Sequence, residues 1–205
     1  MLHSARVIPE VTPWRTPVIR TIPPSTELSR NYRLHRQQGT GSVGQGDSLQ
    51  TGGCGVFNIE LLGQPEGEGE RLFNWGRITL GDFIDEFQAP LFDWAPGDYA
   101  AHWLESAQRL LRGAPVAVFL THMVHPTAPY HLGWPAWRRD DRVYVQERLF
   151  LRDQLDGDFD PEFPEVHAGP HQETSAEGVK IAQWVVSVRE LHDFVERHRR
   201  SNGSA

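Results

Sequence analysis

Arg142-Val143-Tyr144-Val145-Gln146-Glu147-Arg148-Leu149-Phe150-Leu151-Arg152 is the stretch on which the fold class turns. Val143, Val145, Leu149 and Leu151 fall on one face of an extended chain. Arg142, Tyr144, Gln146, Arg148 and Arg152 fall on the other, which is the two-residue period of a half-buried strand. Glu147 breaks the division, by landing on the apolar side. Upstream, Tyr130 to Arg138 is aromatic but contains Pro135, which has no N–H to give a ladder, so it reads as an edge strand or a bulge. Pro115 to Leu120 is a short apolar run bounded by turn residues and reads as a buried central strand. Downstream, Asp153 to Ser175 is a long acidic, Pro-bearing loop, and Ile181 to Val188 is a strand rich in β-branched residues.

The earlier part of the chain adds more strand. Val56 to Leu61 alternates and fits an edge strand, Gly63 to Gly69 reads as a turn, and Leu72 to Leu80 alternates again before a turn at Gly81-Asp82. Phe83, Asp85 and Phe87 share one face if that segment is extended, and a short helix fits it nearly as well. Two helices carry start and stop signals. The central one opens with Pro96 and Asp98, closes with Arg109, Arg112 and Gly113, and carries Tyr99, Trp103, Leu110 and Leu111 as its stripe. The C-terminal one starts at a capping box, Ser187 and Glu190, with Val186 and Leu191 at the spacing of a hydrophobic staple. Leu191, Phe194, Val195 and His198 then form its docking face. The expectation is an α+β fold, a mainly antiparallel β-sheet with one central and one C-terminal helix packed on it.

At 205 residues the chain is long enough for one core of ordinary size. Residues 1–55 combine five prolines with a Gly/Ser/Gln-rich stretch that cannot bury enough apolar area to offset its ordering entropy. They read as a disordered arm or a mis-assigned start, with 56–200 a single α+β domain and 201–205 a frayed tail. The arm carries six Arg against three acidic residues, leaving fourteen Lys and Arg against twenty-four Asp and Glu in the remainder. A body that acidic argues against direct nucleic-acid binding and suits a basic protein partner. Cys54 is the only cysteine, so no intramolecular disulfide forms. No apolar run reaches the length of a membrane span, and Met1 to Arg20 lacks the apolar centre of a signal peptide. The expected location is the cytoplasm.

Chemistry is hard to find in the residues. His122 and His125 have a suggestive spacing, but after a strand and before Pro126 it points them to opposite sides, and a third metal ligand would have to come from His131, Glu147 or the acidic loop. Asp156-Gly157-Asp158-Phe159-Asp160 lacks the full ligand set of a calcium loop. No Gly-x-Ser-x-Gly and no Gly-Lys-Ser or Gly-Lys-Thr phosphate loop is present. No catalytic residue, metal or cofactor is expected. The candidate contact residues are the carboxylates Asp153, Asp156, Asp158, Asp160, Glu162 and Glu165. A second candidate is a loop holding Trp134, Trp137 and Arg138, residue types enriched in interface hot spots. A small metal-dependent hydrolase using His122 and His125, or a regulatory protein-interaction module, are the alternatives.

The order of segments carries a resemblance. Ile78-Thr79-Leu80-Gly81-Asp82-Phe83, the helix with Asp98-Tyr99 ahead of Trp103, Trp134-Pro135, Val143-Tyr144-Val145-Gln146, Leu155-Asp156-Gly157-Asp158-Phe159-Asp160-Pro161 and Trp184-Val185-Val186-Ser187-Val188 run in sequence. Over about Phe73 to Phe194 this is similar to the immunity proteins of bacterial contact-dependent growth inhibition systems. The resemblance implies a cytoplasmic protein that binds the cognate toxin domain, often a nuclease, and occludes its active site. It carries over no catalytic residues and no interface positions. Gln146-Glu147-Arg148 departs from the amide-rich continuation expected there, and residues 1–55 have no counterpart.

Overall fold

The computed structural model describes residues 56–125 and 127–202. The expected arm, with Cys54, lies outside the described residues, as do 203–205 of the expected tail. The last helix continues through Ser201 and Asn202.

Two antiparallel sheets form the body. The first contains β1 (Phe57–Glu66), β2 (Phe73–Leu80) and β3 (Phe83–Pro90) in that order. Gly81-Asp82 joins β2 to β3, with Leu80 paired to Phe83 and Gly81 at φ 65°, where a side chain would be strained. The Phe83, Asp85, Phe87 segment is therefore a strand. The second sheet runs β4 (Val116–His122), β5 (Tyr130–Arg139), β6 (Arg142–Val145) and β8 (Trp184–Ser187), with β7 (Arg148–Leu151) also on β5. The fold class is α+β with antiparallel sheets, as the strand period and the helix signals indicate.

Helix α1 (Pro96–Leu111) and helix α2 (Val188–Asn202) complete it. The Asp98 carboxylate accepts the Ala95 N–H at 2.8 Å, and Gly113, at φ 101°, follows the end of α1. The capping box of α2 closes as its spacing requires: Ser187 N–H donates to Glu190 Oε2 at 2.6 Å and Glu190 N–H to Ser187 Oγ at 3.2 Å. One buried cluster joins both sheets and both helices. In it the Phe57 ring meets Phe119 at 5.1 Å and Phe194 at 5.2 Å, while Phe83 stacks on Trp184 at 4.0 Å.

Three strand expectations need correction beyond two changes of length, β1 running on to Glu66 where a turn was expected from Gly63, and the strand expected over Ile181 to Val188 covering only Trp184–Ser187. The Arg142 to Arg152 stretch is two strands, not one, with the break at Gln146-Glu147 where the alternation falters. Beyond the break the phase shifts, so Phe150 is buried, while Leu149 and Leu151 are only partly covered. Tyr130 to Arg138, expected at an edge or a bulge, is not at an edge: β5 is the central strand, flanked by β4 on one side and by β6 and β7 on the other. Pro135 is tolerated there because its carbonyl, which accepts Gln146 N–H at 3.1 Å, faces the gap between β6 and β7, and the missing N–H of a strand residue lies on the same side.

The third concerns β4, which is buried yet stands at the end of its sheet. Helix α1 closes its open edge with side chains. Trp103 Nε1 donates to Leu120 O at 2.7 Å, Ser106 Oγ to Val118 O at 2.9 Å, and His102 Nε2 lies 3.2 Å from Leu120 N and 3.0 Å from Val118 O. The Tyr99 hydroxyl accepts Met123 N–H at 3.0 Å. Every one of these groups would otherwise be an unpaired edge donor or acceptor out of reach of water.

Candidate functional site

The Asp153 to Ser175 segment is fastened to the outer face of the β5 sheet rather than loosely solvated. From the sheet, Trp137 Nε1 donates to Gly169 O at 2.9 Å, Gln146 Nε2 to Gln172 O at 2.6 Å, and the Arg148 guanidinium to Ala168 O. From within the loop, Phe159 inserts and stacks on buried His131 at 3.9 Å, with His167 on its other flank at 5.7 Å. Phe159 and Ala168 are buried, so the loop is anchored near its beginning and near its end.

Five of the six candidate carboxylates point outward. Asp153, Asp156, Asp158, Asp160 and Glu162 are exposed, and Asp158 is 98% exposed with only a 3.6 Å approach from Arg152. Asp160 also shapes the turn, since its Oδ1 accepts Glu162 N–H at 2.8 Å. Glu165 differs. It is half-buried and paired with Arg109 of α1 at 2.7 Å, which ties the short 3-10 turn Pro164–His167 to the helix.

Trp134, Trp137 and Arg138 do not form an exposed loop, and here the sequence expectation is corrected. Trp134 is 1% exposed, packed against the stacked pair Phe83 and Trp184, and Trp137 is 6% exposed beneath the loop it holds. Arg138 Nη1 donates to Leu110 O at 2.5 Å and Leu111 O at 3.2 Å, so its charge serves the C-terminus of α1. The true turn is only Asp140-Asp141, between paired Arg139 and Arg142, with Asp140 at φ 55°.

The histidine pair stays apart. The His122 ring stacks on Tyr130 at 5.1 Å, and burial, with repulsion from His131, pushes its pKa down to about 4. His125 is exposed and bonds Thr127 Oγ1 at 2.8 Å. Among the described residues no three His, Cys, Asp or Glu side chains are grouped to hold a metal ion. No helix among them is long and apolar enough to cross a membrane. Glu147, at the strand break, is held neutral up to about pH 7 by burial.

Two outward-facing side chains were passed over by sequence reasoning. Phe163 is 46% and Val166 70% exposed. Their only signal was the presence of large apolar residues within a loop whose remaining residues are mostly polar, and no period marks them.

Comparison with known proteins places this geometry. No curated protein matches the sequence. A solved structure, a CdiA-CT/CdiI toxin and immunity complex from Enterobacter cloacae, contains a chain with the same fold, at a TM-score of 0.64 and 24% identity over 71% of this chain and 99% of that one. The family model described as the CdiI N-terminal domain matches residues 89–194, from the end of β3 to the docking face of α2 and just over half of the sequence. The chain therefore belongs to the CdiI N-terminal domain family.

Proposed function

We propose that this protein is a non-enzymatic immunity protein that binds and neutralises the C-terminal toxin domain of a contact-dependent growth inhibition system, in the cytoplasm, by covering the toxin's active site with its acidic loop. The observation that carries the reading is membership of the CdiI family over residues 89–194. The solved relative of the same fold was captured in a toxin and immunity complex, which supports a protein as the ligand. The exposed carboxylates of Asp153, Asp156, Asp158, Asp160 and Glu162 suit a positive cleft such as that of a nuclease, and opposite charge speeds encounter.

The test is a growth assay. The toxin domain encoded immediately upstream is expressed in a sensitive host with and without this protein. Specific rescue is expected, and absence of rescue by well-folded protein, or of any toxin gene beside it, would overturn the reading.

A further inference from the structure

We infer that the energetic centre of the toxin-binding surface is the apolar pair Phe163 and Val166, and that it docks into an apolar depression rimmed by lysine or arginine side chains on the toxin domain. This inference rests on the function proposed above and deepens it.

The pair sits on a rigid platform. Val166 N–H donates to Phe163 O at 3.2 Å and Ala168 N–H to Glu165 O at 3.0 Å, so the two residues bracket one tight turn, with Phe163 at its N-cap. Pro164 between them is buried, and Ala168 just beyond is fully so. Arg109 fixes the platform from α1 by its 2.7 Å bond to Glu165 and lies over the Phe163 ring, 5.2 Å from its centroid. Phe163 is thus held in place and still half open to solvent. An aromatic side chain that is ordered before binding loses little freedom on binding, which is the condition for a strong anchor.

Charge identifies the occupant. Exposed Asp158, Asp160 and Glu162 lie just ahead of the pair in the chain, while Arg109, the cation beside it, is engaged by Glu165. An apolar centre with a carboxylate rim matches an apolar depression with a cationic rim. A division of labour follows. The rim steers encounter and sets the association rate, and the apolar pair sets how long the complex lasts.

The experiment measures association and dissociation rates, by surface-coupled kinetics, between the full chain and a catalytically inactivated form of the upstream-encoded toxin domain. Phe163→Ala is expected to raise the dissociation rate at least tenfold and Val166→Ala about fivefold, each leaving the association rate within twofold. Val179→Ala, at another exposed valine, beyond the end of the loop, is expected to change neither. Thermal melts verify that the variants fold. Dissociation within twofold of the parent for both Phe163→Ala and Val166→Ala overturns the inference while leaving the function standing. No binding by the parent overturns the function, and the inference with it. A concentration-dependent dimer abolished by Phe163→Asp, with toxin kinetics unchanged, assigns the pair to a second copy of this chain and likewise overturns it.

Discussion

Trp103→Phe removes a single donor from the seam between α1 and the open edge of β4. The Leu120 carbonyl points away from β5, and its partner is the indole N–H at 2.7 Å, on a side chain only 1% exposed. Leaving a buried carbonyl unpaired costs about 1–3 kcal/mol. The smaller ring gives up roughly 1 kcal/mol more of apolar burial and contact. The sum is about 2–4 kcal/mol, a fall in Tm of roughly 5–12 °C for a chain of this size. Ser106→Ala is the internal comparison. Val118 O also has His102 Nε2 at 3.0 Å, so with the ring in its Nε2–H tautomer that carbonyl keeps a donor and the loss is confined to one net hydrogen bond, about 0.5–1.5 kcal/mol. Urea denaturation followed by circular dichroism, with the slope against urea unchanged, measures both. A Trp103→Phe loss below about 1 kcal/mol, or no larger than that of Ser106→Ala, would refute the edge-sealing argument.

Stability will also depend on pH with two opposing signs. His102 and His122 titrate near pH 4 in the fold against 6.5 unfolded, because burial disfavours their charged forms. Their contribution is therefore complete above about pH 6.5 and is lost as the pH falls toward 4, on the order of 3 kcal/mol each. Glu147 is raised by burial from 4.5 to about 7, so its contribution is fully present below about pH 4.5 and is lost as the pH rises through 7. Glu147→Gln should raise Tm at pH 8 and steepen the fall between pH 6.5 and 4.5, and melting curves that stay parallel to the parent's across pH would contradict this. Gly76→Ala should destabilise by about 1–3 kcal/mol, since the new Cβ would lie 2.2 Å from the Phe87 ring, itself edge-on to Trp103, whereas Gly97→Ala, in open space on α1, should stabilise by up to about 1 kcal/mol. Chemical denaturation separates the two. Asp156, Asp158 and Asp160 replaced together by Asn should slow toxin association and flatten its salt dependence with the fold intact, because the amide oxygen of Asp160→Asn still offers an acceptor to Glu162 N–H. Unchanged association at low salt would exclude the acidic loop.

Helix ends were the most legible features in the sequence, because Asp98, Ser187, Glu190 and Gly113 act on neighbours three or four residues away. Strand period was legible as far as Val145 and failed at Gln146-Glu147, since a break resets the phase and leaves no mark in composition. Pro135 misled for a related reason. The rule that removes proline from central strands assumes an unbroken neighbour, and the gap that satisfies Pro135 begins at Gln146, in a later segment of the chain. Trp134, Trp137 and Arg138 looked like a contact loop through their proximity to Asp140 and Asp141. Which face a tryptophan buries, and that Arg138 reaches back to Leu110, are facts of tertiary packing. The exposed carboxylates of the long loop were read from composition, whereas its anchoring through Phe159 depends on His131, far away in sequence.

The three residues that fasten the long loop, Trp137 and Arg148 on strands and Gln146 in the gap between β6 and β7, all donate to main-chain carbonyls, those of Gly169, Gln172 and Ala168. A carbonyl is common to every amino acid, so these bonds make no demand on side-chain identity. The loop's path is dictated by the strands, while its outward residues, Asp156, Asp158, Glu162, Phe163 and Val166 among them, remain open to replacement. On the proposed function, in which this loop meets the toxin, a lineage of such proteins would exchange one adversary for another by rewriting a handful of codons on a single loop, with the scaffold beneath inherited unchanged.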